Sequence, residues 1–119
     1  MAEDNLSTQT LPLGHSGLVG GRWEQLTLVE QLGNIGSEVG RAIRAKSAGN
    51  NERSQAAFYR ALELFDATAV CTRSAARREV LRAREVVCDY LVGDNDYNSD
   101  ASSLEAYFIP FAMAARSGR

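Results

Sequence analysis

Histidine occurs once in this chain, at His15, and cysteine twice, at Cys71 and Cys88, seventeen positions apart. With no second cysteine pair and no histidine nearby, those residues make neither a zinc site nor a disulfide framework, and both read as reduced thiols, Cys88 within the core. Lysine is almost missing: Lys46 stands alone against twelve arginines. Long apolar runs are lacking too, which excludes a membrane span and predicts no membrane partner. The N-terminus has no basic region followed by an apolar stretch, so no signal peptide is expected and the predicted location is cytoplasmic. There is no basic excess either, since 13 Lys and Arg face 15 Asp and Glu for a formal charge of −2. Any nucleic-acid surface must therefore be local.

Signatures of catalysis are also absent. There is no Gly-x-Ser-x-Gly, no glycine-rich phosphate loop, and no Glu-x-x-His partner for Glu30, Glu38, Glu63 and Asp66 of the kind a di-iron bundle uses. The sequence reads as a non-enzymatic protein without a cofactor.

What is present is an ordinary globular composition, 45% hydrophobic and 24% charged over 119 residues, arranged with helical period. Residues 1–21 are rich in Ser, Thr, Asn and Gly and show no such period, so they read as a flexible arm. Its scattered Leu6, Leu11, Leu13, Leu18 and Val19 suit docking in a groove better than building a core. Residues 22–119 read as one all-α domain, an antiparallel bundle of four helical segments.

The first segment is predicted to begin at Thr27, because Thr27-Leu28-Val29-Glu30 has capping-box form, and to stop at Gly49. Leu28, Leu32, Ile35, Val39 and Ala42 recur at spacings of 4, 3, 4 and 3, which is a core stripe. One position further on runs a second row, Val29, Gly33, Gly36, Gly40 and Ile43. Three mid-helix glycines forfeit about 3 kcal/mol of helix propensity relative to alanine. Close approach of another helix, from the same chain or a second subunit, is the expected compensation at Gly33, Gly36 and Gly40.

Asn50 or Asn51 should cap a second helix reaching Val70, with Ala57, Phe58, Ala61, Leu62, Phe65 and Ala69 inward. A third should follow Thr72 or Ser74 and end at Leu91 or Val92, burying Val80, Val87, Cys88 and Leu91. The last is expected from about Ser103, capped by Ser102 and Glu105 and kinked or divided at Pro110. Trp23, Tyr59, Tyr107 and Phe108 read as exposed aromatic contacts.

Two stretches carry candidate sites. Asp94, Asp96, Asn98, Asp100, Ser102 and Glu105 fall at positions 1, 3, 5, 7, 9 and 12 of a loop between helices, the spacing by which an EF-hand wraps calcium. Ser99 stands where that loop needs glycine, and Ala101 where its short strand carries an apolar residue. Arg73, Arg77, Arg78, Arg82 and Arg84 crowd one helix with a single Glu79 among them, and Arg41 and Arg44 end the neighbouring one. The five form a candidate phosphate-facing strip for RNA, although the Arg78/Arg82 and Arg77/Arg84 pairs face different sides, and Arg41 and Arg44 add to it from the neighbouring helix. Glu85 and Asp89 interleave with them, so an ion-pair ladder or an intersubunit network is the competing reading.

The stretches Glu30-Gln31-Leu32-Gly33-Asn34-Ile35-Gly36-Ser37-Glu38-Val39, Arg60-Ala61-Leu62-Glu63-Leu64, Cys88-Asp89-Tyr90 and Gly93-Asp94-Asn95 resemble a family of small uncharacterised bacterial helical proteins. In size and architecture the chain is also similar to the Avd-type accessory proteins of diversity-generating retroelements. That class-level resemblance implies a homo-oligomer that assists a reverse transcriptase and its RNA. Leu32-Gly33 and Ala57-Phe58-Tyr59-Arg60-Ala61-Leu62-Glu63-Leu64 resemble parts of the tetratricopeptide consensus, although the helix between them is too long for one repeat. The function expected is a self-associating helical adaptor with a protein partner, RNA or an RNA-bound enzyme. A calcium- or peptide-binding helical module is the alternative.

Overall fold

A computed structural model describes residues 21–117, all of them in helices, turns or short connections. The order is α1 (Arg22–Gln25), α2 (Leu28–Ser47), α3 (Asn51–Cys71), α4 (Ser74–Leu91) and α5 (Ala101–Ser117). Among the described residues there is no strand, and no helix is long and apolar enough to cross a membrane. The arm assigned to residues 1–21 lies outside the described residues except for Gly21.

Local chemistry sets most of the boundaries. Thr27 Oγ1 accepts from the Glu30 amide while Glu30 Oε1 accepts from the Thr27 amide, closing the capping box at the start of α2. At its end Gly49 takes φ +80°, a left-handed conformation that carries no Cβ penalty in glycine. The Asn50 amide then reaches the Ala45 carbonyl and the Gly49 amide the Lys46 carbonyl, a Schellman pair. Asn50 Oδ1 immediately accepts from the Arg53 amide and starts α3. One short corner thus stops one helix and starts the next, which folds α2 and α3 into an antiparallel hairpin. Glu38–Arg60 and Ala42–Ser54 contacts run along it.

Helix α4 packs chiefly on α3, whereas α5 returns to α2. The α5 approach is antiparallel and close. A Cβ added to Gly33 would lie 3.2 Å from the Ala112 Cα, and one added to Gly36 only 2.5 Å from the Phe108 Cβ. The visitor to the glycine row is therefore a helix of the same chain. Gly40 differs: it faces the guanidinium of its own helix's Arg44, at 3.1 Å, and no neighbouring backbone.

The core forms where these faces meet. Leu32, Ile35, Val39 and Ala42 of α2 are buried with Ala57, Phe58, Ala61 and Phe65 of α3, Val80, Val87 and Leu91 of α4, and Leu104 and Phe108 of α5. The Phe65 and Phe108 rings meet edge to face, 6.4 Å apart. Leu28, Leu62 and Cys88 are only half-buried at its margin.

Four expectations are corrected. Trp23 is not an exposed contact but a buried lid on one end of the bundle, held by the short helix α1; its indole N–H donates to the fully buried Thr68 Oγ1 at 3.0 Å. Phe108 is likewise buried, because it fills the space left by Gly36. Helix α5 starts at Ala101 rather than Ser103, since Asp100 supplies the cap: its Oδ1 accepts from the Ser103 amide while Ser103 Oγ accepts from the Asp100 amide. And of the kink or division expected at Pro110 the division is not seen, since α5 runs on through that residue, with Pro110 and Ala106 both exposed.

Candidate functional site

Helices α4 and α5 lean on different partners, and a cleft of about 900 Å³ separates them. Val86 and Val87 of α4 and Leu104 and Phe108 of α5 line its depth. Arg78, Arg82, Glu79 and Glu85 stand along the α4 bank. One polar tie spans the gap: Tyr107 Oη donates to Glu79 Oε2 at 2.7 Å. Tyr107 also stacks edge-on against Phe108, with centroids 5.0 Å apart. Burial first, and then the Glu79 carboxylate, push the Tyr107 phenol well above the usual tyrosine range. The phenol thus stays protonated and acts as a donor.

The linkage has a definite sign. A phenol whose pKa is raised on folding contributes stability that is whole below the ordinary tyrosine value of about 10 and is lost as pH rises beyond it. Tyr107→Phe should therefore cost about 1 kcal/mol at neutral pH, the net worth of a hydrogen bond. It should also flatten the fall in unfolding free energy above pH ~10, which urea titrations at neutral and alkaline pH would measure.

The arginines proposed as one strip are not gathered into one. Lys46 Nζ meets the Leu91 and Tyr90 carbonyls at 2.9 and 3.4 Å, so the end of α2 lies against the end of α4. This cation also suits the negative end of the α4 dipole. Arg73 and Arg77 are at the other end of that 18-residue helix, roughly 20–27 Å away at 1.5 Å per residue. Arg73, Arg77, Arg78 and Arg82 are exposed, and none forms an ion pair among the described residues. Arg84 points elsewhere, to Asp66 of α3 at 2.9 Å.

Arg41 and Arg44 have other companions. With Arg53 and Arg60 of α3 they bank a groove of about 550 Å³ floored by Ala45, Ala48, Ala56 and Ala57. Glu38 binds two of the four, Arg41 at 2.8 Å and Arg60 at 3.2 Å. Arg44 approaches Glu105 at 3.7 Å, and Arg53 has no ion-pair partner among the described residues. Arg53 and Arg60 lie seven positions apart on one helix, and they become a bank only once the opposing helix is placed.

The residues at calcium-loop spacing are not brought together. Asp100 caps α5, Glu105 faces Arg44, and Asn98 takes a left-handed φ of 55° in the turn. The amides of Asp96 and Tyr97 donate to the Asp89 carboxylate, at 2.7 and 3.0 Å. That carboxylate is thereby committed to organising the 92–100 connection. Among the described residues no group of three or more His, Cys, Asp and Glu gathers where a metal ion fits. Burial raises the half-buried Cys88 thiol above its ordinary value, which works against a thiolate nucleophile there.

No family model, curated protein or solved structure matches the chain.

Proposed function

We propose that the protein is a non-enzymatic helical adaptor that self-associates through the α4–α5 cleft and docks RNA, or an RNA-bound enzyme such as a reverse transcriptase, through its arginines. The observation that carries this reading is the cleft itself. It has an apolar depth, it opens between two helices of the same bundle, and it is crossed by the Tyr107–Glu79 hydrogen bond. A groove of that kind suits a helix laid into it. Its α4 bank carries Arg78 and Arg82 beside Glu79 and Glu85. A second copy turned about a two-fold axis offers charges of both signs to such a bank, so the self-complementary partner is favoured over a strongly charged foreign one.

Val86 is half-buried in this cleft and outside the innermost core, so Val86→Glu should separate copies without unfolding the domain. Light scattering after size exclusion tests this. The expected result is a dimer at tens of micromolar for the natural chain and a monomer for Val86→Glu, with unchanged helical circular dichroism. A monodisperse monomer for both removes self-association.

A further inference from the structure

The four-arginine groove between α2 and α3 lies apart from the cleft, and its chemistry is different. Arg41 and Arg44 form one bank and Arg53 and Arg60 the other, so two antiparallel helices turn guanidiniums toward one concave strip. The floor is alanine, which lets a ligand come close but offers no aromatic or long aliphatic anchor of the sort that dominates protein interfaces. Phosphate backbone needs no such anchor, only positive charge and room. Guanidinium forks also fit phosphate oxygens two at a time.

The charge balance separates this groove from the other arginine surface. On α4, Arg78 and Arg82 line their cleft together with Glu79 and Glu85, so that bank carries both signs although neither arginine forms an ion pair among the described residues. No carboxylate lines the α2–α3 groove. Glu38 pairs with Arg41 and Arg60 while leaving each more than half exposed, Arg44 lies 3.7 Å from Glu105, and Arg53 pairs with no carboxylate among the described residues.

We infer that this groove is the phosphate-contacting surface of the protein, and that it takes the backbone of a single-stranded RNA with Arg53 and Arg60 on one side and Arg41 and Arg44 on the other. The inference rests on the RNA-docking part of the reading above, and it moves the contact away from Arg73, Arg77 and Arg78.

Fluorescence anisotropy with a labelled single-stranded RNA oligonucleotide, across a salt series, tests it on the full chain. Arg53→Glu/Arg60→Glu should weaken binding about tenfold or more at low salt. Replacing both with alanine should flatten the slope of log affinity against log salt by roughly 1.4, two phosphate contacts at about 0.7 each. Arg53→Glu alone removes no ion pair among the described residues, so it should weaken binding several-fold with unchanged circular dichroism even if the double variant misfolds. Arg77→Glu/Arg78→Glu should stay within about twofold of the natural chain. Binding kept in the Arg53 variants but lost in Arg77→Glu/Arg78→Glu would overturn the groove while leaving RNA docking intact. No salt-dependent binding by the natural chain would overturn both, and displacement of the RNA by polyglutamate at equal charge would mark the groove as a carboxylate site instead.

Discussion

Trp23→Ala should destabilise the domain by about 3–5 kcal/mol, the range for removing a large buried aromatic side chain. Two losses combine. The indole is 5% exposed and closes the end of the bundle where α2 begins and α3 ends. Its N–H is the hydrogen-bond partner of Thr68 Oγ1, which is wholly buried and would be left with its acceptor unmet. The Trp23 carbonyl, which alanine retains, accepts from Gln31 Nε2 at 2.9 Å and is a separate tie holding α1 in place. Urea unfolding followed by far-ultraviolet circular dichroism measures the loss. Trp23→Phe, which keeps most of the ring but not the donor, should lose less than half as much.

The second large effect lies in the glycine row, where three similar residues should answer differently to the same substitution. Alanine normally gains about 1 kcal/mol over glycine inside a helix. At Gly36 the added methyl would sit 2.5 Å from the Phe108 Cβ, an atom that cannot move without its helix. Overpacking of that kind costs typically 1–3 kcal/mol, and pushing α5 away also loosens the Phe65–Phe108 contact. Gly36→Ala should therefore lose up to about 2 kcal/mol net. At Gly33 the nearest atom is the Ala112 Cα at 3.2 Å, a tighter fit than usual but one that a small shift relieves, so the two terms should roughly cancel. At Gly40 the methyl would meet only the mobile end of Arg44, and Gly40→Ala should stabilise by up to about 1 kcal/mol. Matched urea denaturation curves give the order of the three.

That order also marks what the amino-acid sequence could reveal. Helix ends fixed by neighbouring residues were legible: Thr27 with Glu30, Gly49, and Asn50 all act within a few positions of themselves. So were the core stripes, because period 3.6 records which face is hidden. The glycine row read correctly as a seam of close approach at Gly33 and Gly36, but not at Gly40, since heptad spacing says nothing of where a crossing helix diverges. Helix α1 has only four residues, too few to show a period, and its Trp23 is fixed by Thr68, forty-five positions away. At the start of α5 two overlapping capping patterns were available, Asp-x-x-Ser and Ser-x-x-Glu. The structure uses the first, leaving Glu105 to face Arg44 across the α2–α5 contact.

The same limit applies to the candidate sites. Arginines crowded along one helix are conspicuous in the sequence, yet helical geometry spreads them: Arg78 and Arg82 border the cleft while Arg84 turns to Asp66. The groove that does concentrate guanidiniums draws two from each of two helices, and only the packing of the α2–α3 hairpin brings them level. The loop with calcium-like spacing spends Asp100 on a helix cap and Glu105 on an ion pair, uses that spacing alone does not distinguish from metal binding.

The bundle depends above all on α5 of the same chain covering the glycine face of α2. Native-state hydrogen exchange of the α5 amides around Phe108 and Ala112, followed while the protein is diluted until light scattering sees only monomers, tests this directly. Protection comparable to that of central α2 amides, and unchanged by dilution, is the predicted result. Protection that vanishes with dilution would mean that the seam is closed by another subunit, and uniformly fast exchange would mean that it is not closed at all.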